Sequence, residues 1–351
     1  MMKDVKIGNV LVGHKHKPFV IAELSGNHDQ SFSLAKNMID AAAKAGADAI
    51  KLQTYTADSM TLDVDHVDFI IQEKDSLWFN QRLHTLYQKA STPYEWHKEL
   101  FEYANSLGLE AFSSPFDFDA VDFLETLDVP CYKIASFELT HLPLIEKVAK
   151  TGKPMIMSTG MASLAEIEEA VGTAKQAGCK DIVLLKCTST YPAKATNTHL
   201  ATIPHMATAF STHVGLSDHT KGLGAAVASI AFGAVVVEKH FVLNRNDGGV
   251  DAAFSLEPDE LKQLVEELNR AWQAKGEVVY AGTSAETISK QYRRSIYVSE
   301  NVKKGDVFTE DNLRIVRPAF GLAPKHWGSV LGKTASCDLA KGHALTWQDL
   351  K

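Results

Sequence analysis

Short apolar runs and amphipathic stretches alternate along the first 280 residues of the chain. The apolar runs are rich in β-branched residues and predict eight strands, at 19–24, 49–55, 110–116, 131–136, 154–159, 182–189, 214–219 and 234–241. Between and after them, helical patterns occupy residues 33–48, 93–108, 163–178, 221–234 and 258–272. One of these helices opens with a capping-box pattern, Ser163 followed by Glu166.

A strand followed by a helix, repeated eight times, is typical of a parallel sheet with helices packed on it. Eight repeats in this length predict an α/β fold, a closed (β/α)₈ TIM barrel over residues 1–280. The alternative is an open doubly wound sheet, but no GxGxxG motif follows the first strand. A longer polar insertion at 57–92 interrupts the second repeat, where barrels often build a lid or an oligomer contact.

The pattern changes near residue 281, and residues 281–292 are the expected linker. Residues 293–351 then read as short strands and turns, which predicts a small β-rich domain. Within it, KKGDVFTEDNL at 303–313 is echoed by AKGHALTWQDL at 340–350. A module of this size buries too small a core to carry much chemistry alone.

Composition narrows the class of protein. Hydrophobic residues make up 45% and charged residues 23%, and the net charge of −7 argues against nucleic-acid and anionic-membrane partners. The N-terminus lacks a signal-peptide pattern, and no apolar run is long enough to span a membrane. The four cysteines have no CxxC spacing and are expected as free thiols, so a cytoplasmic location is expected.

Polar residues end almost every predicted strand. In a barrel the carboxyl ends of the strands face the active site. One polar strand end carries little information, because every strand must enter a loop, but eight together predict a polar pocket on one rim. The residues concerned include Glu23, Asn27, Lys51, Gln53, Ser114, Lys133, Ser136, Glu138, Ser158, Ser189, Ser217, His219 and His240.

Three lysines interrupt apolar strands, namely Lys51, Lys133 and Lys239. Burying an unpaired ammonium group is costly, so each needs an anionic neighbour. For a single lysine, an ion pair with Glu23 or Glu138 would be sufficient. Three lysines at matched depth beside serine hydroxyls instead favour a site for an anionic substrate. The serines are Ser114, Ser136, Ser158 and Ser217.

His219 and His240 end neighbouring strands, so their rings are expected within a few ångströms of each other. Two imidazoles with open positions suit a catalytic divalent metal of the Mn²⁺ type. Two hydrogen-bonded histidines, one paired with a neighbouring carboxylate, explain the spacing equally well. The loop at 244–258 follows the last strand and should place Asp251 over the pocket mouth.

Nine blocks of sequence, in order, resemble the sialic-acid-synthase family. They are IAELSGNH, ADAIKLQTY, FSSPFD, YKIASFE, MSTGMAS, LKCTSTYP, GLSDHT, EKHF and VKKGDVFTEDNLRIVRP. The resemblance implies condensation of phosphoenolpyruvate (PEP) with a six-carbon amino sugar aldehyde to give a nine-carbon keto acid. It also implies a divalent metal (Mn²⁺, Mg²⁺ or Co²⁺), a C-terminal antifreeze-like (SAF) domain, and a domain-swapped homodimer in which that domain caps the partner's barrel.

The same resemblance implies roles for individual residues. His219 and His240 match the metal ligands and, with Glu23 and Glu138, form the expected catalytic set. The expected PEP contacts are Lys51, Ser114, Lys133, Ser136, Ser158, Ser189 and Ser217, with Ser189 standing where the family often has asparagine. The sugar contacts are expected to be Asn27, Gln53, Asp251 and Arg317, with Arg317 offered by the partner subunit.

Two motifs resemble the branch of the family that makes pseudaminic acid, namely ELSGNHDQ at 23–30 and NDGGVDAAFSLEP at 246–258. The acceptor of that branch is 2,4-diacetamido-2,4,6-trideoxy-L-altrose, and its product coats bacterial flagellin or surface glycans. N-acetylneuraminic and legionaminic acid synthesis are the alternatives within the family. Outside it, the alternatives are a non-catalytic glycan-binding protein and an aldolase with Lys51 or Lys133 as a Schiff-base lysine.

Overall fold

The computed structural model describes residues 2–74 and 76–351. The chain divides into two compact units, one reaching to Gly276 and the other running from Glu277 to Lys351. Within the described residues, none of the helices is both long and apolar enough to cross a membrane.

The first unit contains a closed parallel barrel preceded by a small antiparallel hairpin. The hairpin comprises β1 (Val5–Ile7) and β2 (Val10–Val12). The barrel strands are β3 (Phe19–Glu23), β4 (Ala49–Thr54), β5 (Glu110–Pro115), β6 (Tyr132–Ile134), β7 (Met155–Ser158), β8 (Ile182–Cys187), β9 (His213–Asp218) and β10 (Val236–His240). Strand β10 pairs with both β9 and β3, which closes the ring. The predicted barrel and its eight strands are confirmed, whereas the hairpin was not anticipated.

Helices follow the barrel strands. They are α1 (Phe32–Ala45), α2 (Ala57–Met60), α3 (Leu83–Ala90), α4 (Tyr94–Ser106), α5 (Phe118–Thr126), α6 (Leu142–Ala149), α7 (Leu164–Gln176), α8 (Thr202–Phe210), α9 (Gly224–Ala231) and α10 (Pro258–Lys275). The capping box of Ser163 and Glu166 starts α7 as predicted. Helices α2 and α3 lie in the insertion at 57–92, which therefore adds structure above the second strand.

The core forms where the apolar stripe of each helix packs on the outer face of the barrel. In α1 the buried residues include Ala35, Met38, Ile39 and Ala42, which recur at three- and four-residue intervals. Each large side chain buried in this way stabilises the fold by about 1.5–3 kcal/mol. The helices thus cover the outside of the barrel and leave the carboxyl ends of its strands free for chemistry.

The second unit has a small β-rich core of its own. It contains β11 (Ser295–Val298), β12 (Leu313–Val316) and α11 (Trp327–Val330), together with isolated bridges. In the two sequence echoes, the matching residues Phe308 and Leu345 are both fully buried. Residues 281–292, the expected linker, include the 3₁₀ turns Ser284–Glu286 and Ile288–Tyr292 and belong to this unit.

Candidate active site

A cavity of about 1500 Å³ lies at the carboxyl ends of the barrel strands. Most of the predicted site residues line it. These are Glu23, Lys51, Gln53, Lys133, Ser136, Glu138, Ser158, Ser189, Ser217, His219, His240 and Asp251. Asn27 and Ser114 are buried beside lining residues, and Arg317 belongs to the C-terminal unit.

The carboxylate of Glu238 lies between two lysines on the floor of this cavity. Its Oε2 is 3.3 Å from Nζ of Lys51, and its Oε1 is 3.7 Å from Nζ of Lys133. The hydroxyl of Ser217 donates a hydrogen bond to the same carboxylate at 2.9 Å. Burial alone would raise the pKa of Glu238, but the two lysines hold this pKa below its usual range. Glu238 is therefore ionised and positions both ammonium groups.

Strand alternation separates Lys239 from that floor. Successive side chains of a strand point to opposite faces, so Glu238 and His240 reach the cavity and Lys239 does not. Its Nζ lies 2.8 Å from Oδ2 of Asp218 and donates to the carbonyl oxygen of Thr220 at 2.6 Å. The expectation that Lys239 serves the anion site is wrong, because its charge is already matched by a fully buried ion pair.

Three serines meet around the loop that follows β7. The backbone N–H of Gly160 donates to the hydroxyl of Ser136 at 3.1 Å. A Cβ on Gly160 would lie 2.1 Å from Oγ of Ser189, so only glycine allows this approach. The hydroxyl of Ser158 is buried and has no hydrogen-bond partner within residues 2–74 and 76–351. These hydroxyls leave donors available to an anion beside Lys133.

Ser114 supports a lysine from behind the cavity surface. Its hydroxyl accepts a hydrogen bond from Nζ of Lys51 at 3.3 Å. The ammonium group of Lys51 also lies 2.7 Å from Oε2 of Glu23. Burial alone would lower the pKa of Lys51, but the carboxylates of Glu23 and Glu238 raise it. Lys51 is therefore protonated, and its contacts fix it at the edge of the cavity floor.

The rings of His219 and His240 meet as predicted, with their centroids 5.2 Å apart. Nδ1 of His219 is 3.0 Å from the carbonyl oxygen of Thr188, which can only accept. In the neutral form of the ring, Nδ1 therefore carries the hydrogen and Nε2 keeps a lone pair. Burial lowers the pKa of His240 well below its usual value, so this ring is neutral.

These two rings fit a divalent cation. Among the described residues, the buried Nδ1 of His240 has no hydrogen-bond partner, and it lies 3.5 Å from Oδ2 of Asp251. No group of three or more His, Cys, Asp or Glu side chains there converges as a ligand set. A cation held by His219 and His240 would therefore keep open positions for water or substrate.

Asn27 holds the loop that carries Asp251. Its amide donates to the carbonyl oxygen of Phe241 and to the hydroxyl of Ser255, both at 2.9 Å. Its side-chain oxygen accepts from the backbone N–H of Asp251 at 3.0 Å. The hydroxyl of Ser25 donates in turn to the carboxylate of Asp251. The geometry makes Asn27 a positioning residue, whereas the sequence predicted a sugar contact.

The carboxyl groups of Glu23 and Glu138, both on the rim, differ in their hydrogen bonds. Oε1 of Glu23 accepts from the amide of Gln53 and from the backbone N–H of Ser25, both at 3.1 Å. Oε2 of Glu138 is buried and has no hydrogen-bond partner in the described parts of the chain. Burial raises the pKa of Glu138 to about 7, against the opposing effect of Lys133. Burial raises the pKa of Glu23 to about 7 as well, so the two groups differ in their contacts: Oε2 of Glu23 lies 2.7 Å from the ammonium group of Lys51, whereas Oε2 of Glu138 is unpaired among the described residues.

Cys187 lines the cavity and was missed as a site residue, since the sequence marked it only as a free thiol. Its Sγ lies 3.8 Å from Nδ1 of His219 and 3.7 Å from Oγ of Ser189. Burial would raise the pKa of this thiol, but its contact with His219 lowers it to about 7. Its position at the end of β8 was the signal that could have identified it.

Comparison with known proteins finds relatives that match nearly the whole chain. The chain is 44% identical over 335 residues to a pseudaminic acid synthase of Campylobacter jejuni, covering 95% of this chain and 97% of the relative. A pseudaminic acid synthase of Helicobacter pylori is 42% identical over 336 residues, with 95% and 98% covered. The crystal structure of a sialic acid synthetase from Leptospira borgpetersenii superposes with a TM-score of 0.73 at 30% identity, covering 82% of this chain and 95% of that one.

Two family models match the chain in sequence order. The NeuB family model matches residues 38–280, and the SAF domain model matches residues 293–351. The resemblance seen in the sequence blocks is therefore confirmed. The chain belongs to the NeuB family.

Proposed function

We propose that the protein condenses PEP with 2,4-diacetamido-2,4,6-trideoxy-L-altrose and releases pseudaminic acid and inorganic phosphate. The observation that carries this proposal is one cavity in which Lys51, Lys133 and a group of serines adjoin His219 and His240. The lysines and serines supply donors for the phosphate and carboxylate of PEP. The motif variants and the pseudaminic acid synthase relatives support the choice of acceptor.

His219 and His240 would hold a divalent cation, with Mn²⁺ proposed as the ion. Such a cation supplies Lewis-acid polarisation of the sugar's aldehyde oxygen. Asp251, 3.5 Å from His240, lies where it can orient the acceptor's hydroxyl or amide groups. Gln53 is held by Glu23 and lines the same cavity, so we propose it as a second sugar contact.

The reaction forms one carbon–carbon bond and, at C2 of PEP, exchanges the bridging oxygen for a water oxygen, while the two protons of that water pass to the former aldehyde oxygen and to the phosphate. C3 of PEP attacks the aldehyde carbon, a water oxygen adds to C2, and the phosphate leaves with its bridging oxygen. We assign removal of the water's proton to Glu138, because its buried Oε2 lacks a partner among the described residues, whereas Oε2 of Glu23 lies 2.7 Å from the ammonium group of Lys51. Glu23 orients Lys51 and Gln53 instead.

The direct test is incubation with PEP, Mn²⁺ and a panel of amino sugars. Phosphate release and product mass are the measurements. We expect a nine-carbon product with the altrose-type acceptor, loss of turnover on chelation, and recovery on adding Mn²⁺. Near-native turnover by both His219→Ala and His240→Ala would contradict the metal role. Preference for an acceptor that leads to legionaminic or neuraminic acid would contradict the assigned product.

Arg317 is the remaining predicted contact, and we propose that it reaches the site of a partner subunit in a homodimer. Exposed apolar side chains support a partner surface, since Val278 and Tyr280 are each 88% exposed and Ile288 is 70% exposed. These residues lie just before the SAF domain.

Subunit mixing tests the homodimer proposal. Arg317→Ala and His240→Ala should each be inactive alone. If the C-terminal domain acts on the partner's barrel, mixed dimers contain one intact site, and an equimolar mixture should recover about a quarter of wild-type activity. No recovery after exchange, with a dimer seen by light scattering, would place Arg317 at its own barrel.

A further inference from the structure

The cavity has two kinds of wall. Its floor carries the charged and hydroxyl groups described above. One side is built by the insertion at 57–92 and is largely apolar, with Met60, Ile71, Trp78, Leu83, Leu86 and Tyr87 among the lining residues. Ser59, Glu73 and Ser76 also line this side; Ser59 and Glu73 are exposed, and Ser76 is half-buried. An apolar surface this close to a charged floor is suited to bind an apolar part of the substrate.

Backbone pairing holds this wall in place. The N–H of Ile71 donates to the carbonyl oxygen of Gln81 at 3.0 Å, and the N–H of Asn80 donates back to Ile71 at 2.9 Å. The neighbouring pair, Ile70 and Arg82, forms an antiparallel bridge. The side chain of Ile71 is therefore presented to the cavity from a closed hairpin.

Trp78 ties the hairpin to the barrel loops. Its indole N–H donates to the carbonyl oxygen of Val250 at 3.2 Å, and its ring centroid is 5.9 Å from that of Tyr191. The ring of Tyr191 lies 4.5 Å from that of His219. One aromatic ring thus separates the apolar wall from the histidines that mark the reacting end of the sugar.

We propose that Ile71 and Trp78 are specificity-determining residues that receive the C6 methyl group of a 6-deoxy amino sugar. The proposal rests on the proposed function and adds the residues that contact C6 of the acceptor, at the opposite end from the aldehyde. PEP has no apolar group to place there. Against the side chains of Ile71 and Trp78, a hydroxyl at C6 would lose its water without gaining a hydrogen bond from either of them, which costs affinity.

The experiment compares two acceptors that differ only at C6. They are 2,4-diacetamido-2,4,6-trideoxy-L-altrose and its 6-hydroxy counterpart, each assayed with PEP and Mn²⁺ by phosphate release. We expect the wild type to prefer the deoxy sugar by about 10- to 100-fold in kcat/KM. Ile71→Thr and Trp78→Gln should each lower this ratio at least about fivefold, with the KM for PEP unchanged.

Matched variants separate recognition from a change in folding. Val67→Thr makes a similar apolar-to-polar change in the same insertion at a residue that is 58% exposed, so its ratio should equal the wild-type ratio. Trp78→Phe removes the hydrogen bond to Val250 but keeps an apolar ring, so it should also keep the ratio. Melting temperatures identify any variant that fails to fold.

Each outcome has a defined meaning. Unchanged ratios in both Ile71→Thr and Trp78→Gln overturn the assignment of the wall, even if the enzyme makes pseudaminic acid. If kcat/KM falls equally with both sugars, the wall contacts an acetamido methyl group instead, and the assignment to the C6 methyl group is also overturned. Absence of phosphate release with either sugar overturns the proposed function and, with it, this inference.

Discussion

Two buried charge clusters occupy opposite faces of β9 and β10, and they differ in how fully their charges are matched. The outer pair consists of Asp218 and Lys239, both fully buried side chains 2.8 Å apart. The inner cluster consists of Glu238 with Lys51 and Lys133, at 3.3 and 3.7 Å. The outer pair also satisfies the backbone of Thr220 on both sides, since Asp218 accepts from its N–H at 2.9 Å.

The contacts of Glu238 in the inner cluster are longer, although Lys51 also lies 2.7 Å from Glu23, and the cluster opens onto the cavity. Next to it, the hydroxyl of Ser158 and Oε2 of Glu138 lack partners among the residues that the structure describes. A closed ion pair leaves nothing for a ligand to bind, whereas a cluster with longer contacts and spare donors can bind one. Burial of charge by itself therefore does not mark a site. Incomplete matching of that charge beside a cavity does.

The largest expected effect is on stability, from the outer pair. Lys239→Met leaves the carboxylate of Asp218 buried and unpaired, which should lower the free energy of unfolding by about 3–5 kcal/mol. Urea unfolding measures this loss. Adding Asp218→Asn should restore much of it, because the amide oxygen still accepts from Thr220. Turnover per folded molecule should stay near wild type, and a selective loss of turnover would contradict a purely structural role.

Lys133→Met tests the inner cluster with the same chemical change. It should lower kcat/KM for PEP by about 10²–10³-fold, because a donor to the developing charge is lost. Stability should fall less than in Lys239→Met, since Glu238 keeps its ion pair with Lys51 and the hydrogen bond from Ser217. Phosphate-release kinetics and urea unfolding give both values. If Lys133→Met and Lys239→Met have the same effects, the distinction between the two clusters is wrong.

Glu138→Gln should change the free energy of unfolding less than Lys239→Met does, and in the opposite direction, by stabilising the fold. Burial raises the folded-state pKa of Glu138 from 4.5 to about 7, so folded protein keeps a proton that the unfolded chain releases. The stability contributed by this group is therefore lost as pH rises from about 4.5 to 7. Glutamine should raise the free energy of unfolding by about 1–3 kcal/mol at pH 8 and leave it unchanged near pH 4.

Activity should respond to Glu138→Gln in the opposite direction. As a base, Glu138 must be ionised, so wild-type kcat should rise with pH through about 7. Glu138→Gln should lose about 10²-fold in kcat and flatten that rise. A variant that keeps the wild-type pH profile would transfer the role to another group, with Glu23→Gln as the next variant to assay.

Much of the fold was predictable because local physics and tertiary structure agree. The barrel strands are rich in buried apolar residues, and α7 starts at its capping box. Strand ends also identified most of the cavity, because parallel strands bring their carboxyl ends to one rim. The prediction for Lys239 was wrong because it ignored side-chain alternation along the strand. Alternation places Glu238 and His240 on one face and Lys239 on the other.

Other features needed the tertiary structure. Asn27 holds the Asp251 loop through contacts with residues more than 200 positions away in the sequence. No local sequence pattern predicts such contacts. The insertion at 57–92 read as polar, yet its folded hairpin turns Ile71 and Trp78 towards the cavity. Periodicity determines which face of an element is apolar. Only packing decides which charges are matched and which donors remain free, because both depend on distances between distant parts of the chain.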